Sequence, residues 1–242
     1  MGLADLHIHT TYSDGEPTVQ AVLAAVAAQR TLAVIAITDH DTIAGAQFAQ
    51  QALAAQRYPF ELIVGEEITS REGHIVGLFL HEAIAPGMDA AETIAAIHAQ
   101  GGLAFAPHPF FNDRPWRSQR AMDSVGALAA ALPFDAIEAD NSTPFLEWAN
   151  HRARRFAACH RLPALGASDA HILAAIGKSY TTFPGNTAVD LRHAIETGTC
   201  QVGVQPYRGV ELLDYLRFWL GYGSGTRTTT TETGVIPTLA RE

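Results

Sequence analysis

The densest run of chemically capable residues stands at the start of the chain: Asp5-Leu6-His7-Ile8-His9-Thr10-Thr11-Tyr12-Ser13-Asp14-Gly15. Leu3 to Ile8 is predicted as a short strand, along which side chains alternate, so His7 and His9 share one face while Leu6 and Ile8 share the other. A turn rich in Thr, Ser and Gly follows and can return the Asp14 carboxylate over the strand end. Two imidazoles and a carboxylate form a donor set suited to zinc, iron or manganese. Taken alone, His-x-His equally fits two histidines that only hydrogen-bond to neighbours. The rest of the chain must supply matching donors.

It does so at the ends of strand-like segments. Ala33 to Ile37 runs into Thr38-Asp39-His40-Asp41, Leu62-Ile63-Val64-Gly65 runs into Glu66-Glu67, and His74 opens Ile75-Val76-Gly77-Leu78. Leu103 to Ala106 runs into Pro107-His108-Pro109, and Ala164 to Ala167 runs into Ser168-Asp169-Ala170-His171. The segments between carry helical periodicity. Thr18 to Arg30 places Val19, Val22, Leu23 and Val26 on one face, and Thr42–Gln56, Asp89–Ala99, Met122–Leu132, Phe145–His160 and Val189–Thr197 are also predicted helices. Phe60–Val64, His74–Leu80, Asp135–Ala139 and Tyr180–Phe183 are predicted strands, with an antiparallel or irregular link through Arg71-Glu72-Gly73. This β-α alternation favours a closed parallel α/β barrel whose strand C-terminal ends form one catalytic face. An open doubly wound sheet is the alternative, and the chain has no Gly-rich nucleotide fingerprint for it.

His7-x-His9 with Asp14, Thr38-Asp39-His40-Asp41, Gly65-x-Glu67 or Glu66 one place earlier, His74, Ala106-Pro107-His108-Pro109 and Ser168-Asp169-x-His171 resemble, in order, the metal motifs of the PHP (polymerase and histidinol phosphatase) superfamily. The resemblance covers roughly residues 3 to 200. It implies a distorted (β/α)7-type TIM-like barrel, a trinuclear centre of two or three Mn, Fe or Zn ions, and phosphoester hydrolysis by a metal-activated hydroxide. By the same resemblance His7, His9, Glu66 and Asp169 surround one ion, Glu66, His74 and His108 a second, and Asp14, His40 and His171 a third. Glu66, chosen for its place after Gly65, bridges the first pair, and Asp169 and His171 join it as catalytic residues. Only one of Glu66 and Glu67 can face the site, because adjacent strand residues point opposite ways. Asp39 and Asp41 are expected to orient imidazoles. The remaining histidines, His81, His98, His151, His160 and His193, read as structural or solvated.

A phosphate also needs donors beyond metal, and Arg114, Arg117, Asn141 and Lys178 are the candidate substrate contacts. The wording of the motifs is most similar to small PHP proteins acting as nucleoside 3′,5′-bisphosphate phosphatases or 5′-to-3′ exonucleases, and less to histidinol phosphatases. A non-catalytic metal-binding regulatory module is the alternative of a different class, opposed by the complete set of motif residues. The expected substrate is a small phosphorylated molecule or a short oligonucleotide.

The 242 residues, 48% hydrophobic and 17% charged, suit one barrel-sized domain, expected over 1–220, followed by a disordered tail over 221–242. A net charge of −9 opposes broad binding to polyanions. Cys159 and Cys200 lack metal or redox spacing and read as free thiols. No secretory leader or membrane-length apolar run is visible, so a cytoplasmic location is expected, with no membrane association and no obligate protein partner. Glu211 to Leu220 is expected to pack as a terminal amphipathic helix through Leu212, Leu213, Leu216 and Trp219.

Overall fold

Alternation along the strands explains both the barrel and its site. In the computed structural model, which describes residues 1–111 and 124–221, the strands are β1 (Gly2–Asp5), β2 (Val34–Ile37), β3 (Glu61–Thr69), β4 (His74–Leu78), β5 (Leu103–Ala106), β6 (Ala136–Asn141), β7 (Ala164–Ala167), β8 (Ser179–Phe183) and β9 (Gln201–Val204). On β2, Val34 and Ala36 join an apolar cluster with Ala4, Ile63, Val76, Leu78, Phe105 and Leu165 inside the barrel. Ile35 and Ile37 join a second cluster against the helices. Strands buried on both faces read as continuous apolar runs, which is why these segments are so rich in Ile, Val, Leu and Ala.

The sheet order is β7-β6-β5-β4-β3-β2-β1-β8-β9. β4 runs antiparallel to both β3 and β5, as the short link through Gly73 requires, whereas β1, β2 and β3, and likewise β5, β6 and β7, pair in parallel. At the top the barrel closes through the parallel bridge Ile8↔Ala170, where His9 N donates to Ala170 O (2.9 Å) and Ala170 N donates to His7 O (3.1 Å). At the bottom β8 pairs antiparallel with β1, and Gly166 N of β7 donates to Thr181 Oγ1 of β8 (3.1 Å). The approach leaves no room for a side chain at Gly166: a Cβ there would collide with the Tyr180 carbonyl.

Helices α1 (Val19–Gln29), α2 (Ala44–Ala55), α3 (Ala90–Ala99), α4 (Glu147–His160), α5 (Ala188–Glu196) and α6 (Gly209–Trp219) flank the barrel. α1 begins where Thr18 accepts from Ala21 N and buries Val19, Val22, Leu23 and Val26, the face its periodicity predicts. α5 opens on a Thr187/Asp190 capping box. The nearly closed, distorted barrel is the expected architecture, with mixed strand directions in place of an all-parallel sheet because β4, β8 and β9 pair antiparallel. Two local expectations are corrected here, and one strand was not foreseen. The first strand ends at Asp5, and Leu6 packs inside the barrel while Ile8 packs outside, so the two do not share a face. The segment expected to form a helix from Met122 to Leu132 holds a 3-10 turn at Gly126–Ala130, its first residues lying outside the described ones. β9, unpredicted, pairs antiparallel with β8. Among the described residues no helix is long and apolar enough to cross a membrane. Of the tail expected over 221–242, residues 222–242 lie outside them.

Candidate metal centre

The top of the barrel reverses the chemistry of its interior. Ile63, Gly65 and Glu67 occupy one side of β3 at period two, and since Ile63 belongs to the interior cluster, Glu67 also points inward. Its carboxylate is 1% exposed and meets His7 Nε2 (3.1 Å), His9 Nε2 (3.1 Å), His40 Nδ1 (3.4 Å), His74 Nδ1 (3.0 Å) and His108 Nε2 (2.9 Å). Glu66, expected as the bridging residue, points the other way, where its Oε2 accepts from Ile84 N (2.8 Å). The register of this strand is therefore corrected by one residue. Leu62-Ile63-Val64 is apolar on both faces and carries no parity signal of its own, so the choice after Gly65 had nothing local to anchor it.

The other predicted donors converge with Glu67. Asp169 Oδ1 lies 3.5 Å from His7 Nε2 and 3.2 Å from His9 Nε2. Asp14 Oδ1 lies 3.2 Å from His171 Nε2, 3.6 Å from His9 Nδ1 and 3.8 Å from His40 Nε2. Three donor groups have ligand atoms within 4.8 Å of one another: His7, His9, Glu67 and Asp169; His9, Asp14, His40 and His171; and His40, Glu67 and His74. His9, Glu67 and His40 are shared between groups, so these are facets of one cage.

The cage fits cations better than it fits itself. His9 Nε2 and His74 Nδ1 come within 3.1 and 3.0 Å of Glu67 without hydrogen-bond geometry, and with His108 Nδ1 they are buried ring nitrogens lacking a hydrogen-bond partner. Buried polar atoms normally find partners. Nitrogen and oxygen lone pairs converging from several strands are what divalent metal ions satisfy. Burial works against the His9 cation, but the Asp169 and Glu67 carboxylates beside the ring prevail and hold it up at about 10. Burial likewise opposes the Glu67 anion, yet His7, with His108 and His74 beside it, holds that carboxyl well below its ordinary range. Glu66, with no such neighbours, is pushed up to about 7 by burial.

A frame of hydrogen bonds aims these donors. Glu138 on β6, buried and unpredicted, accepts from His7 Nδ1 (3.0 Å), His108 N (2.6 Å) and Asn141 Nδ2 (3.0 Å). The first bond leaves His7 Nε2 free to face the cage. Its signal in the sequence was an acid in the middle of an apolar strand, at the same parity as the inward Ala136. Asp39 accepts from Thr10 N (2.7 Å) and Ser13 Oγ (2.8 Å), and Asp41 accepts from Thr69 N (2.7 Å), so both carboxylates brace backbone segments and neither touches an imidazole as expected. His108 and Asp169 sit at φ 28° and 53°, a left-handed backbone uncommon outside glycine and concentrated at functional sites.

The expected substrate contacts fare differently. Asn141 is buried and its Nδ2 donates to Glu138 and to Asp169 Oδ2 (3.1 Å), so it orients the cage. Lys178 donates to Glu211 Oε2 (2.6 Å) and anchors α6 to the barrel. Arg114 and Arg117 lie outside the described residues.

A model of the PHP domain matches residues 5–128, and one described as PHP-associated matches residues 147–200. An uncharacterized protein of Methanocaldococcus jannaschii is 42% identical over 118 residues, covering 44% of this chain and 67% of that protein. A phosphoribosyl 1,2-cyclic phosphate 1,2-diphosphodiesterase of Eggerthella lenta is 36% identical over 105 residues, covering 40% of this chain and 38% of the other. The chain therefore matches well under half the length of that relative. Among solved structures, a two-domain Bacteroides vulgatus protein containing a predicted PHP-like metal-dependent phosphoesterase superposes with a TM-score of 0.66 at 18% identity, over 84% of this chain and 64% of that one. That likeness is one of fold.

Proposed function

The chain belongs to the PHP family and has a donor site of the metal-dependent phosphoesterase kind, and we propose that it hydrolyses small phosphomonoesters or the 5′ end of short oligonucleotides. The observation that carries this reading is the buried Glu67 carboxylate, ringed by five imidazoles, with His9 Nε2 and His74 Nδ1 facing it without a hydrogen-bond partner. His7, His9, Glu67 and Asp169 would hold one ion, Glu67, His74 and His108 a second, and Asp14, His40 and His171 a third, with Glu67 taking the bridging place assigned from the sequence to Glu66. Two or three Mn, Fe or Zn ions would supply an activated water and neutralise charge on phosphate oxygens.

The chain's own groups supply placement. Glu138 holds the His7 ring and the His108 backbone, so one carboxylate sets two donors at once. Asn141 occupies Asp169 Oδ2, leaving Oδ1 turned toward His7 and His9. Asp14, with a side chain 55% exposed, lies at the mouth with His40 and His171, which are partly exposed. A net charge of −9 supports a small substrate over a long polyanion. A panel containing histidinol phosphate, nucleoside 3′,5′-bisphosphates and 5′-phosphorylated oligonucleotides tests the reading. Metal-dependent phosphate release from monoesters or oligonucleotide 5′ ends is expected, and efficient processive cutting of long duplex DNA would contradict it.

A further inference from the structure

Beside the metal cage lies a cavity of about 370 Å³ whose walls are mostly aromatic and aliphatic. Asp14, Asp169 and His171 form its floor, and Phe111, Phe145, Tyr215, Phe218 and Trp219 contribute its walls. The rings continue the imidazole cluster: Phe218 lies 5.7 Å from His171, which stacks at 4.2 Å on His9, and Phe111 stacks at 5.1 Å on His108. Phe145 is 62% exposed and Trp219 is 69% exposed, so neither ring serves the core. Exposed large apolar groups gathered at a functional cavity mark a binding surface.

The wall is held in place. Lys178 anchors the first turn of α6 through Glu211, and Tyr215 Oη donates to Thr143 Oγ1 (3.4 Å) in the loop that carries Phe145. Phe145 itself sits at φ 68°, a left-handed backbone that persists only when its surroundings impose it. A flat uncharged ring would meet aromatic faces in this cavity.

We propose that this cavity is the leaving-group subsite and takes a planar aromatic group, so that aryl-type phosphomonoesters are favoured over aliphatic ones. The assignment rests on the phosphoesterase reading of the adjoining cage. Ring stacking typically accounts for about tenfold or more in affinity per ring.

The test is calorimetric binding of phenylphosphonate and methylphosphonate to the metal-loaded protein, neither of which is hydrolysed. Phenylphosphonate should bind about tenfold more tightly, and the preference should collapse in the double variant Phe145→Ala/Trp219→Ala, whose exposed positions leave the core intact. Equal affinities in the wild type, or a preference that survives in the double variant with its metal content unchanged, would overturn the subsite. Phenyl phosphate turnover is measured in parallel. A binding preference lost in the variant, with no metal-dependent hydrolysis of any phosphomonoester, would support the subsite and strike the reaction assigned to the cage. Hydrolysis without a preference would strike the subsite alone.

Discussion

Two adjacent glutamates do opposite work in this chain. Glu67 faces five imidazoles and is ionised by their field, whereas Glu66 lies across the strand with one backbone donor and burial pushing it up to about 7. Glu67→Gln removes the negative charge that would compensate repulsion between bound cations, so metal content should fall and turnover should drop by about 100-fold or more. Glu66→Gln should keep its bond to Ile84 N and retain full metal occupancy. Metal analysis and phosphatase assay of the two variants side by side check this. Glu138→Gln tests the frame: it should weaken metal affinity by about 10- to 100-fold while leaving the melting transition cooperative. The convergence of the histidines was legible because each closes or opens an apolar segment, and strand ends share one rim. The parity at Glu66-Glu67 was not, because parity comes from the interior packing of Ile63, a long-range fact.

At the level of elements, α6 shows where periodicity misleads. Leu212, Leu213, Leu216 and Trp219 form a plausible buried stripe, yet Tyr215 is the buried residue, with Leu212, Leu216 and Phe218 partly covered and Leu213 and Trp219 exposed. Two polar tethers set this rotation, Lys178 to Glu211 and Tyr215 to Thr143, and neither is visible as hydrophobic pattern. Lys178→Met should cost about 1–2 kcal/mol, less than a fully buried pair because Glu211 keeps contact with solvent, and lower the melting temperature by a few degrees. Metal content should be unchanged, as Lys178 is no part of the cage; a loss of bound metal in this variant would show otherwise. The apolar face of α1 and the barrel alternation were readable because they are local. β9 was missed because Gln201–Val204 is short and largely exposed, with only its pairing to β8 to define it.

For the whole molecule, proton and metal compete for one cage. In the metal-free protein the His9 ring, held up at about 10, carries a proton at neutral pH, while Glu67 and Asp169 are ionised. A cation needs the neutral imidazole, so loading must release protons, and affinity must weaken as pH falls. Calorimetry at pH 7 in two buffers of different ionisation enthalpy should register net proton release, and an absence of release would contradict the protonated cage. The central claim is that the barrel top is a metal-dependent phosphoesterase site, and the most direct measurement is elemental analysis of protein purified without added metal, coupled to phosphomonoester assays before and after chelation. Two or three transition-metal ions per chain are expected, with activity lost on their removal and recovered on their return. Protein that is free of metal and fully active would contradict it.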